Sequence, residues 1–171
     1  MSNSEILYRA NKYNNGDFRT YSVTFFGHRE VDDLSRIEKK LFPILKNILN
    51  SENYVEFYIG RNGEFDEFVA SIIKRAKKEI RADNSSLILV LPYKVKDMEY
   101  FFDYYDEVII PEDIWKVHYK GAITARNKWM VDNSDVVIVN VEREKGGAYN
   151  ALKYARAQNK NIINLADKDK E

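Results

Sequence analysis

Six short apolar runs, alternating with stretches of helical periodicity, constrain this chain more than any other feature. The runs are TYSVTFFG (20–27), YVEFYIG (54–60), SLILVLPY (86–93), EVIIPE (107–112), DVVIVNV (135–141) and NIINL (161–165). They are rich in β-branched and aromatic residues and are bounded by Gly, Pro, Asn or Asp, as strands are. SLILVLPY is almost unbroken apolar sequence, the pattern of a parallel strand covered on both faces.

The intervening stretches read as helices. Between the first two runs, Leu34, Ile37, Leu41, Ile44, Leu45 and Ile48 recur at helical spacing, with Asp32 or Asp33 as N-cap. Pro43 falls inside that pattern and predicts a kink or a break. Phe65, Phe68, Val69, Ile72, Ile73 and Ala76 share a face of the next helix, which has acids early and bases late. MEYFFDYY (98–105) predicts a short helix, and further helices cover much of 123–132 and 147–158.

Strands separated by helices build a parallel sheet through right-handed crossovers. The expected fold is therefore α/β: a single Rossmann-like domain over residues 20–166, its sheet mostly parallel with helices on both faces. A polar, Asn-rich arm over 1–19 precedes it and a charged tail over 167–171 follows.

Composition narrows the function classes. The chain has 27 basic and 27 acidic residues and no net charge. That balance argues against nucleic acid as a partner, which calls for a basic surface. KRAKKEIR (74–81) is basic but lies late in its helix, where cations suit the dipole, and reads as a solvated face. Without cysteine there are no disulfides, thiolate metal sites or Cys nucleophiles. The two histidines, His28 and His118, sit in no ligand spacing, so neither a metal nor a cofactor is expected. No apolar run approaches the length of a membrane span, which predicts a cytoplasmic chain with no membrane partner.

In open parallel sheets, ligands bind beyond the carboxyl ends of the strands. Four loops occupy that edge. In GHRE, Gly27 is followed by His28 and Arg29, suited to ligand contact or loop structure more than to catalysis, because no nucleophile is paired with the histidine. In GRNGEFD, Gly60 and Gly63 flank Arg61 and Asn62 and leave amides at a helix start, where anions bind. An ordinary strand–helix turn with Asp66 serving the helix start is the alternative there. Pro92 and Tyr93 end the central strand, and the Tyr93 ring offers a surface for a base. In EREKGGA, Gly146, Gly147 and Ala148 open the last long helix beside Arg143 and Lys145; backbone amides there hold a phosphate, or the glycines simply punctuate a loop. Arg126 and Asn127, adjacent on the preceding helix, add a forked donor and an amide.

TFFGHRE, YIGRNGEFD, LILVLPY, ARNKWMVDNSDVVIVNV, KGGAYNALKYA and NKNIINL, in this order, resemble the YpsA-like branch of the SLOG superfamily, over roughly residues 20–165. Relatives include the LONELY GUY phosphoribohydrolases and the DNA-processing protein DprA. The resemblance implies a Rossmann-like sheet whose glycine loops bind nucleotides or nucleotide-derived ligands, often in a homodimer, in bacteria or their phages. It matches Gly27, His28 and Arg29; Gly60, Gly63 and Asp66; Pro92 and Tyr93; Arg126 and Asn127; and Gly146 and Gly147 to the family's ligand-binding loops. One departure is Ala148, where the branch usually has threonine.

A second departure bears on catalysis. Hydrolytic relatives carry a glutamate four residues after the loop glycine, a position filled here by Ala151. Glycosidic cleavage needs a carboxylate near the anomeric carbon, and Asp66 is the best-placed substitute. The expectation is therefore a non-catalytic sensor or binding module for a nucleotide-derived small molecule. N-glycosidic hydrolysis or base transfer is the alternative, and a nucleic-acid binder is a third class disfavoured by charge. The Tyr-rich segment 100–105 offers more aromatic surface than a short helix buries, which points to a homodimer.

Overall fold

The computed structural model describes residues 19–168. The polar arm expected over 1–19 lies outside the described residues apart from Arg19, and the tail apart from Asp167 and Lys168. In chain order the elements are β1 (Thr20–Gly27), α1 (Leu34–Ser51), β2 (Tyr54–Ile59), α2 (Glu64–Glu79), β3 (Ser85–Val90), α3 (Met98–Tyr104) and β4 (Glu107–Ile109). A 3-10 turn (Glu112–Ile114), α4 (Tyr119–Asp132), β5 (Val136–Asn140), α5 (Gly147–Ala157) and β6 (Asn161–Asn164) complete the chain.

Six parallel strands form one sheet in the order β4-β3-β2-β1-β5-β6. Side-chain alternation along the strands feeds two cores, as a sheet covered on both faces requires. Val23, Phe25, Phe57, Leu87 and Ile138 face α1, α2 and α3 through Leu41, Leu45, Val69, Ile73 and Phe101. Phe26, Tyr58, Val137 and Val139 face α4 and α5 through Met130, Leu152 and Ala155. This is the α/β Rossmann-like architecture the strand–helix alternation predicts.

Of the kink or break expected at Pro43, the break does not occur, and one helix boundary moves. α1 runs unbroken through Pro43, whose ring is exposed, as is Lys39, the residue whose carbonyl the missing N–H would have bonded. On that solvent-facing side the proline removes one helical hydrogen bond without ending the helix. α4 begins at Tyr119, earlier than its apolar spacing suggests. There the imidazole Nδ1 of His118 accepts the Lys120 N–H at 3.3 Å and caps the helix.

The strand order also fixes where a ligand site can form. From central β1 the chain moves through β2 and β3 to β4, then returns to β5 on the other side. The connections after β1 and β5 therefore leave in opposite directions, opening a crevice at their carboxyl ends. Gly27 and Asn140 stand level in that register.

Candidate functional site

A cleft of about 450 Å³ occupies this crevice. Its walls bring together three of the four loops singled out above, with α4 as its far side. Gly27, His28 and Arg29 come from the end of β1; Asn62, Gly63 and Asp66 from the start of α2; Gly146, Gly147 and Ala148 from the start of α5; and Arg126 and Asn127 from α4. Gly60, Arg61, Pro92 and Tyr93 are not among its lining residues. Gly60 lies behind it, Arg61 sits over the Phe101 ring at 4.4 Å, Pro92 is buried, and Tyr93 is exposed.

The β1 end is fixed by packing. A Cβ on Gly27 would come within 2.2 Å of the Phe65 ring, so only glycine lets the first turn of α2 approach β1. His28 is a structural acceptor: its Nε2 receives the backbone N–H of Glu142 and of Arg143, each at 3.2 Å. An imidazole accepting at Nε2 is neutral with its proton on Nδ1. Burial, and then the Arg143 charge, hold its pKa below the usual histidine value. His28 therefore ties the β1 loop to the β5–α5 loop.

The α2 loop is spent largely on itself. The Asn62 N–H donates to Asp66 Oδ2 at 2.9 Å and the Glu64 N–H to the Arg29 carbonyl at 2.9 Å. A Cβ on Gly63 would lie 2.6 Å from Arg29 Cα. The glycine there is explained by two loops in contact, and the amides of 62 and 64 are already satisfied by the protein.

Asp66 and Arg126 lie at the base of the cleft. Arg126 is 3% exposed. It donates from Nη1 to the Val90 carbonyl and from Nε to Asn127 Oδ1, both at 2.9 Å. Burial raises the Asp66 pKa and lowers that of Arg126, against their mutual attraction. For both groups desolvation outweighs the partner, so an anion entering beside Arg126 would relieve a charge that Asp66 only partly balances.

The α5 end differs from the α2 end. Gly146 adopts φ +91°, which an L side chain resists, and nothing lies within 4 Å of a Cβ built on Gly146 or Gly147. The eleven-residue helix that follows has no side-chain cap and no acid in its first turn. Its first N–H groups and positive dipole end open onto the cleft beside Arg143 and Lys145, an arrangement that attracts anions. Ala151 is packed in the core with Ala148, Leu152 and Ala155 and is not among the residues lining the cleft.

Sequence reading missed Phe26, Phe65 and Ile123 as lining residues. It also missed a local charge bias. From Trp115 to Val131 the chain carries Lys116, Lys120, Arg126 and Lys128 and no acid. The cleft itself is lined by four cations (Arg29, Arg126, Arg143, Lys145) and two carboxylates (Glu30, Asp66). Four of the five cations in the obvious basic run, by contrast, have partners within the protein. Lys74 donates to the Tyr104 carbonyl, Arg75 pairs with Glu38, Lys77 with Asp106, and Arg81 with Asp83.

No protein-family model matches the chain, and comparison with curated proteins finds no match. Among solved structures it is similar to DNA processing protein A from Helicobacter pylori, described for its unique single-stranded DNA binding mode. The TM-score is 0.54 at 15% sequence identity, covering 83% of this chain and 63% of that one. The chain thus spans less than two thirds of that protein's length. At this identity the likeness shows a shared Rossmann-like fold.

It also corrects two expectations. Binding of a nucleotide-derived small molecule was expected, with its cleavage as the alternative and nucleic acid argued against. The similar fold is that of a protein with a single-stranded DNA binding mode, so neither expectation stands. The physical reason is that zero net charge is an average over the molecule. It says nothing of an acid-free basic stretch beside a cleft whose cations outnumber its carboxylates. Of the membrane expectation, no described helix is long and apolar enough to cross a bilayer.

Proposed function

We propose that the cleft binds single-stranded DNA through its sugar–phosphate backbone, with the α5 N-terminus as the phosphate seat. The observation that carries this reading is the uncapped start of α5, open to the cleft at Gly146 and Gly147 and flanked by Arg143 and Lys145. A phosphate there accepts from the amides of the first turn. Arg29, Arg143 and Lys145 neutralise its neighbours along the strand, and Arg126 supplies a fixed charge from below. Backbone contacts of this kind position a strand without reading its sequence. Within this reading the chain is placed in the YpsA-like branch and in the cytoplasm, supported by the six ordered sequence blocks and the lack of cysteine.

Fluorescence anisotropy with a labelled oligothymidylate tests this directly. Affinity should fall linearly on a log–log plot against salt, with a slope of about −0.7 per phosphate neutralised. Replacing Arg143 and Lys145 together by alanine should flatten that slope by more than one unit's worth of contact. Absence of binding at low salt, or binding indifferent to salt, would refute the proposal.

A further inference from the structure

Among the described residues, the seven exposed large hydrophobics run from Tyr93 to Ile123. Within that span, Trp115 to Gly121 is exposed at every position and carries Lys116 and Lys120 without an acid. Tyr119, 67% exposed, opens α4, and Ile123 stands four residues on. Residues four apart share a helix face, about 6 Å from one to the next. Ile123, Arg126 and Asn127 on that face line the cleft. An apolar and aromatic stripe therefore leads from the seat of the proposed phosphate out to solvent.

Two features set this exposed segment apart from incidental apolar surface. Trp115 Nε1 donates to the Ile110 carbonyl at 2.9 Å, so the indole is oriented while it remains 47% exposed. The rings of His118 and Tyr119 lie 4.6 Å apart, and His118 is itself held by the Lys120 amide. Aromatic faces fixed in advance lose little conformational entropy when a flat partner stacks on them. The occupant must suit both the rings and the cations. A single DNA strand does so, since its bases stack on aromatics while its phosphates meet lysines.

We infer that Tyr119, with Ile123 beside it, is a stacking platform for nucleobases flanking the phosphate held at α5, with Lys116 and Lys120 tracking the backbone. This rests on the DNA-binding reading of the cleft and adds a separate contact that the phosphates alone do not need.

The test compares a short oligothymidylate with an abasic oligomer of equal length and charge, on wild type and on Tyr119→Ala. Tyr119 is exposed, so unchanged melting of the variant confirms that its fold is intact. The oligothymidylate should bind wild type about five-fold or more tightly than the abasic strand. Tyr119→Ala should erase most of that difference without weakening abasic binding, and Tyr119→Phe should keep it. Equal binding of both oligomers by wild type would overturn the platform and leave the phosphate seat standing. If neither binds, the cleft reading fails and the platform with it. A concentration-dependent dimer that Tyr119→Ala dissolves would assign the stripe to a second copy of the chain and overturn the inference.

Discussion

The Nε2 atom of His28 accepts the backbone N–H of Arg143 at 3.2 Å, across 115 residues of chain. This bond, with its twin from Glu142, ties the cationic loop before α5 to the end of β1 just beyond the last β1–β5 pair, Gly27 and Asn140.

It carries a pH dependence. Burial and the nearby Arg143 lower the His28 pKa from 6.5 in the folded chain, while Glu142 opposes them. The neighbouring charges on its own loop are Arg29 and Glu30. A histidine depressed on folding contributes stability that is complete above its unfolded value and lost as pH falls through its folded one. Wild type should therefore lose melting temperature below about pH 6.5 relative to His28→Gln, whose acceptor does not titrate. Asp66 and Glu56, raised by burial, act in the opposite direction in both proteins, so the difference isolates the histidine. Parallel pH profiles would contradict the clamp.

Arg126 should matter to stability before it matters to binding. Its replacement by methionine keeps bulk but leaves the Val90 carbonyl without its donor and Asp66 without its neighbouring cation. The expected loss is about 2–4 kcal/mol, read from urea denaturation. Asp66→Asn in the same background should recover part of it, since the buried carboxylate is then gone.

The glycines separate into packing and open positions. Gly27→Ala drives a methyl into the Phe65 ring, itself 1% exposed, and should cost about 1–3 kcal/mol. Gly63→Ala meets the Arg29 backbone and should cost at least as much. Gly147→Ala meets nothing and should leave stability unchanged or raise it by up to about 1 kcal/mol through helix propensity. Thermal melts of the three variants check the ordering, and a strongly destabilised Gly147→Ala would contradict it.

Much of the fold was legible because apolar periodicity is a local property. Leu41, Leu45, Val69 and Ile73 declare their helix faces, and the six runs became the six strands. What periodicity does not carry is tertiary partnership. Pro43 was legible as an interruption, but that its face is turned to water was not. Gly63 looked like an anion-binding glycine, whereas its reason is the Arg29 backbone pressed against it. The His28–Arg143 bond joins segments with no local signal of each other. Of the segment 100–105, Phe101 and Tyr105 are core, and Tyr100 and Phe102 are exposed. The basic stretch around α4 was hidden by counting charge over the whole chain, although the acid-free run from Trp115 to Val131 could have been found by counting in windows.

If the first amides of α5 seat a phosphate of single-stranded DNA, NMR titration of the 15N-labelled protein with an oligothymidylate will register it at those amides. The backbone amides of Gly147 and Ala148 should shift first and saturate together with those of Arg143 and Lys145, while residues 74–81 stay still. Shifts confined to 74–81, with the α5 amides unmoved at saturation, would contradict it.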